Sequence, residues 1–221
     1  MAALDASPVG AGVSPPSRLA PGVPALTQDG KPEVLYVGAE YCPYCASQRW
    51  PLIVALSRFG TFNGLGLATS SSTDVFPDTP TFTFHGAEYS SEVLTFTGVE
   101  EATNTGAPLE TPTTRVQALL QTYDAAPYTT SPGAIPFLMV GNRYVQIGAS
   151  FPPDALVGRT QVEIASGLAD PSADPAAADI LGAANVMTAA ICQLTGGAPS
   201  NVCQSPAVTR AAQTLPTQPP R

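Results

Sequence analysis

Charge is scarce in this 221-residue chain, with Asp, Glu, Lys and Arg at 12% against roughly 25% in ordinary soluble domains. Lysine is almost missing: Lys31 is the only one, and the Arg residues are scattered. Acids outnumber bases 17 to 9, for a formal charge of −8. That balance excludes the clustered cations that nucleic-acid phosphates require and disfavours anionic membrane surfaces. His85 is the sole histidine, so a Ser-His-Asp or Cys-His site could be built only around it, and its place beside a turn reads as a surface residue. Long apolar runs are missing too. LIVAL at 52–56 and ILGAANVMTAAI at 180–191 fall short of the roughly 20 residues that span a bilayer. The first 24 residues have neither the charged start nor the apolar stretch of a secretory signal. By these signs the chain reads as soluble. It shows no internal repeat, Gly-rich phosphate loop, EF-hand or HExxH pattern.

What is present suffices for a core, since 44% of the residues are apolar. Residues 1–30 are rich in Pro, Gly, Ser and Ala without a period, and 204–221 read likewise, so both are expected as flexible segments flanking a domain at 31–203. EVLYVG at 33–38 has the pattern of a strand buried on both faces. A helix follows from Pro43, with Ala46, Trp50, Ile53 and Leu56 at spacings of three and four and an expected kink at Pro51. LGLATS (65–70) reads as a second strand, and TFTF (81–84) and EVLTFTGV (92–99) as extended pieces of an insertion at about 71–113. Residues 100–114 read as loop, and TRVQALLQTYD (114–124) as a helix. PFLMVGNRYVQIG (136–148) signals a hairpin around Gly141-Asn142. Helical segments near 154–168 and 177–194 form a C-terminal extension. The order is that of an α/β fold.

The chemistry concentrates at Cys42-Pro43-Tyr44-Cys45, where a buried strand turns into a helix. The helix dipole and nearby N–H groups favour thiolate and lower the pKa of the first thiol, while Cys45, one turn in, is more shielded. Cys42 then attacks a substrate sulfur and Cys45 resolves the mixed disulfide. Half a zinc site is the competing reading, but zinc wants four ligands and there is no second C-x-x-C, so no metal and no cofactor is expected. Far downstream, Ala134-Ile135-Pro136-Phe137 puts an X-Pro bond at a strand start, where a cis bond is expected.

This pairing of a C-x-x-C helix start with a proline loop resembles the thioredoxin-like superfamily. The run GAEYCPYCASQRW with ALSRFGTF, TPTFTF, IPF and a late ICQLTGG…VC is similar to a thioredoxin-like family known only as a domain of unknown function, often carried outside a membrane anchor. The resemblance implies Cys42 as nucleophile, Cys45 as resolving thiol, Pro136 shaping a substrate groove, and the Ile135 backbone pairing with an extended peptide; Pro43 and Tyr44, between the cysteines, are further expected substrate contacts. The chain departs from the superfamily at Tyr36, six residues before the first Cys, where many thioredoxins bury an acid; Glu40 is the acid nearest in sequence.

Cys192 and Cys203 enclose a short loop that a structural disulfide would close; a second redox pair is the sharper alternative. Two disulfides imply an oxidising compartment, so an extracytoplasmic location is expected, with the cytoplasm as the alternative because no signal is read. Trp50 is assigned to the core, Tyr44 to a substrate contact, and Glu88, Glu92, Glu100 and Glu101 to a solvated face. The function expected is disulfide exchange with client proteins, and with a membrane redox partner if the domain is anchored. The alternative is a thioredoxin-like binding module whose C-x-x-C is structural.

Overall fold

The apolar run at 33–38 forms the centre of the sheet. A computed structural model describes residues 9–10 and 12–220. Its elements are β1 (Ser17–Arg18), β2 (Thr27–Gln28), β3 (Lys31–Gly38), α1 (Pro43–Leu56), β4 (Thr61–Asn63), β5 (Gly66–Thr69), β6 (Pro80–Thr83), β7 (Glu88–Ser90) and β8 (Thr95–Glu100). There follow α2 (Thr114–Tyr123), β9 (Phe137–Val140), β10 (Tyr144–Ile147), a 3₁₀ turn (Pro153–Leu156), α3 (Gln161–Gly167), α4 (Pro175–Leu194), α5 (Ser200–Cys203) and α6 (Pro206–Ala212). Among the described residues this is a mixed α/β fold with six α-helices. The six-stranded mixed sheet has the order β1-β10-β9-β3-β2, with β8 parallel on β3.

Successive side chains of a strand point to opposite faces, and β3 uses both. Val34 and Tyr36 join a core with Trp50 and Leu52 of α1 and Ile180 of α4. Leu35 and Val37 join a second core with Val116 of α2 and with Leu19 and Leu26 from the N-terminal segment. Strand β9 repeats the alternation in register, Tyr36 opposite Leu138 and Val37 opposite Phe137. Both faces are covered, which is why the run is continuously apolar. At its N-terminal end Glu33 is fully buried and takes a bidentate ion pair from Arg115 of α2, at 2.6 and 2.8 Å. The expected hairpin forms, with Gly141 and Asn142 at φ of 61° and 54°. A Cβ at Gly141 would also lie 2.5 Å from the Leu194 side chain.

Several expectations need correction. The extended piece at 92–99 is no part of an insertion outside the sheet: as β8 it pairs in parallel with β3 from Glu33↔Thr95 to Gly38↔Glu100. The segment at 65–70 instead forms a peripheral hairpin with β6, consistent with a Leu67 that is 72% exposed. The helix expected at 154–168 is divided into the 3₁₀ turn and α3. Helix α1 runs through Pro51 to Leu56. Helix α4 begins at Pro175, with Asp174 accepting from the Ala176 and Ala177 N–H groups. Its 20 residues are long and apolar enough to cross a membrane, longer than the sequence run suggested, but 78% of its apolar window is buried inside the fold.

Neither flank is free of the core. Residues 1–8 and 11 of the expected N-terminal segment lie outside the described residues; the rest runs along the sheet, with β1 on β10 and β2 on β3. At the other end α6 buries Ala207, Val208 and Ala211, and Leu215 follows them. A few apolar side chains at helical spacing outweigh the Pro-rich composition. Val208→Asp should therefore cost at least about 3 kcal/mol in urea unfolding, since it buries an unpaired charge, while exposed Thr209→Asp should stay within about 0.5 kcal/mol of the parent. Equal tolerance of both would show a tail detached from the core.

Candidate functional site

Strand β3 ends at Gly38, and Ala39-Glu40-Tyr41 turn the chain into α1, with the Cys42 N–H donating to the Ala39 carbonyl at 3.2 Å. Cys42 is the N-cap of α1, at φ −78° and ψ 120°, and Pro43 stands in the first turn. Its sulfur accepts the Cys45 N–H at 3.2 Å, in the place where a Ser or Asp oxygen usually caps a helix. The site therefore favours negative charge on that sulfur, at the positive end of the helix dipole.

The two thiols are unequal. Cys42 is held below the ordinary thiol value, first by a hydrogen bond from the Cys45 thiol, against opposition from burial, and then by the Cys45 N–H and the Arg49 charge. Cys45 is pushed well above it, chiefly by burial and then by donating to Cys42. Cys42 is 6% exposed and Cys45 not at all, so only Cys42 has an outlet to the surface. Both are unbonded.

Ile135 and Pro136 lie against this cap. Their peptide bond is cis, and the Ile135 carbonyl oxygen accepts from the Cys42 thiol at 3.7 Å. Thus Cys42, Cys45, Pro43, Ile135 and Pro136 come together. Tyr44 is 42% exposed at the rim, its ring edge-on to Phe76 at 6.0 Å. The loop after β5 is tied to the site by the Ser71 N–H donating to the Tyr41 carbonyl at 2.9 Å. A groove of about 540 Å³ opens there, lined by Tyr41, Ser71, Asp74 and Val75. A second of about 450 Å³, lined by Glu101, Leu120, Pro132 and Ile135, lies on the proline-loop side.

Beneath the thiols is a buried cluster that the sequence reading did not identify. Arg49 lies four residues after Cys45, on the same stripe of α1. It pairs bidentately with Glu100 at the end of β8, Nε to Oε1 at 2.8 Å and Nη2 to Oε2 at 2.6 Å, and Nη2 also donates to the Ala39 carbonyl at 2.9 Å. Neither side chain has any exposure, so Glu100 does not belong to a solvated acidic face. The guanidinium sits 5.7 Å from the Tyr36 ring centroid. A Cβ on Gly38 would run into the Tyr36 hydroxyl and lie 3.0 Å from Cys45 Sγ, so the glycine leaves room for both groups. Burial, more than the Cys45 thiol, raises the Tyr36 hydroxyl well above its usual range, against the opposing Arg49 charge. Arg49 Nη1 and Tyr36 Oη are buried without a hydrogen bond of ordinary geometry, and an unsatisfied donor on a charged group costs more than the roughly 1–3 kcal/mol of a neutral one. The detectable signal was the Cys45/Arg49 spacing; the Glu100 end of the pair depends on the parallel pairing of β8.

The other candidates stand apart from this chemistry. Trp50 is in the core, its Nε1 donating to the Pro80 carbonyl at 2.9 Å. His85 Nδ1 lies 2.7 Å from Glu110 Oε1 at a surface position. Cys192 and Cys203 form a disulfide, Cα atoms 5.6 Å apart, that joins the end of α4 to α5. Among the described residues no group of three or more His, Cys, Asp or Glu is arranged to hold a metal ion.

Fold and site together define a mixed α/β protein whose central strand delivers an asymmetric C-x-x-C pair to a helix N-terminus. The chain belongs to the family described as Domain of unknown function (DUF929), whose model matches residues 23–193. No curated protein and no solved structure matches it.

The thiol asymmetry sets a test. In the reduced, folded protein, alkylation of Cys42 followed by mass spectrometry should have its midpoint below the free-thiol value of about 8.5, with Cys45 modified only on unfolding. A Cys42 midpoint at or above that value would contradict the geometry.

Proposed function

We propose that the chain is a thioredoxin-like thiol–disulfide oxidoreductase, elaborated between β5 and β8 and extended by C-terminal helices. The observation that carries this reading is Cys42 itself: a sulfur at a helix N-cap, accepting the Cys45 N–H and facing the Ile135 carbonyl. A thiolate is favoured at that one atom, and a second thiol lies behind it with no outlet of its own.

In the reductive direction the Cys42 thiolate attacks a client disulfide, forming a Cys42–client bond and releasing one client thiolate. Cys45 loses its proton and attacks Cys42 Sγ, closing the Cys42–Cys45 disulfide and releasing the second client thiolate. That thiolate takes up a proton, so atoms and charge balance. Run backwards, the same steps oxidise a client dithiol. Pro43, Tyr44, Ile135 and Pro136 would contact the client, whose backbone adds along the proline loop. The Cys192–Cys203 disulfide favours an oxidising, extracytoplasmic setting, where clients would be envelope or secreted proteins and a membrane redox protein could renew the pair.

A second reading has one observation in its favour. At 6% exposure Cys42 is shielded for an attacking thiol, as suits a binding module with a structural C-x-x-C. The variants separate the two. Cys42→Ser should abolish exchange with a disulfide-bonded protein substrate, whereas Cys45→Ala should accumulate client–Cys42 mixed disulfides on non-reducing gels. Full activity in Cys42→Ser would overturn the enzyme reading.

A further inference from the structure

We infer that Arg49, locked by Glu100, is a positioning residue for the resolving step: a buried cation that stabilises the Cys45 thiolate so that this thiol can give up its proton inside the core. The inference rests on the thiol–disulfide reading above and assigns a role to residues that reading does not use.

Three observations carry it. Cys45 and Arg49 share one stripe of α1, one turn apart, and the guanidinium charge acts on the Cys45 sulfur. Glu100 is not available as a proton acceptor at the sulfur, because Oε1 takes the Arg49 Nε and the Phe84 N–H, while Oε2 takes Nη2. Its role is to fix the guanidinium plane. Finally, Nη1 is buried with no partner, although the other two nitrogens are fully engaged. A donor kept dry and unused in the resting dithiol is a donor available to a charge that appears only during turnover.

The groups acting on Cys45 come from each element around it. Cys42 caps α1 and Arg49 lies on it, Tyr36 is on β3, and the Ala39 N–H and Tyr41 are on the turn between β3 and α1, while Glu100 on β8 reaches the site through Arg49. Only Arg49 is a cation. Burial raises the Cys45 thiol, and the Arg49 charge is the leading influence that lowers it. In the resolving step the Cys45 S–H proton leaves, the Cys45–Cys42 bond forms, the Cys42–client bond breaks, and the departing client thiolate ends protonated. No oxidant beyond the client disulfide is consumed.

The test uses the full chain and dithionitrobenzoate, which releases one thionitrobenzoate when Cys42 attacks and a second when Cys45 resolves. The pH profile of the second release reads the Cys45 thiolate. Glu100→Gln removes the counter-charge and should shift that profile down by about one unit. Below the midpoint this speeds the second release only about threefold, because lower intrinsic nucleophilicity offsets part of a tenfold gain in thiolate. Arg49→Gln/Glu100→Gln removes the cation and should shift the profile up by about one unit. Should that pair fail to fold, Arg49→Met/Glu100→Leu, of similar volume and uncharged, carries the same expectation. The first release should move in the same sense but less in each, because the Arg49 charge also lowers the Cys42 thiol. Opposite shifts support the role; no shift, or shifts in one direction, would overturn it, since mere loosening of α1 cannot move the profile both ways. If the wild type releases both equivalents but never exchanges with protein disulfides, the oxidoreductase reading fails while the Arg49 assignment stands.

Discussion

The ion pair between Arg49 and Glu100 ties the helix that carries both cysteines to the strand running parallel to β3, and the site depends on that tie. Both charges are fully out of water, at a desolvation penalty of several kcal/mol each. Such a pair survives only with good geometry, supplied here by a bidentate contact and a third hydrogen bond to the Ala39 carbonyl. Ala39 belongs to the turn that aims Cys42 at the helix N-cap. One side chain therefore fixes the helix, the strand end and the turn together. Removing either charge alone would leave the other buried and unpaired, typically costing about 3–5 kcal/mol.

The sheet explains why the site is dry below and open above. Its central strand is covered on both faces, by α1 and α4 on one side and by α2 and the N-terminal segment on the other. Tyr36 points to the α1 face and fills the space under Cys45, edge-on to Phe84 with centroids 5.0 Å apart. Cys45 is shut off from solvent above an aromatic cluster, while Cys42 stands at the C-terminal end of the parallel pair β3/β8, where α/β folds commonly keep their sites. Grooves beside Tyr41 and beside Ile135 flank that opening.

The legible parts of this arrangement were the local ones. A strand buried on both faces, a C-x-x-C at the start of a helix, a proline before a second buried strand and a Gly-Asn hairpin each follow from a few neighbouring residues, and together they located the site. The parallel pairing of β3 with β8 joins segments some sixty residues apart, and TFTGVE carries no mark that distinguishes a central strand from a peripheral one. Glu100 was misassigned for that reason: an acid is taken as solvated unless its partner is known, and its partner lies on another element. The flanks were misjudged by composition. Pro, Gly and Ser argue against an independent core, yet Leu19, Leu26, Val208 and Leu215 need only a surface to pack on.

The central claim is that Cys42 and Cys45 form a reversible redox pair, and equilibrium titration against glutathione tests it most directly. The account predicts one two-electron transition involving these two sulfurs, with Cys192–Cys203 unchanged, at a potential within the span of about −120 to −270 mV known for C-x-x-C proteins. A pair that stays reduced, or stays oxidised, across the whole glutathione range would contradict it.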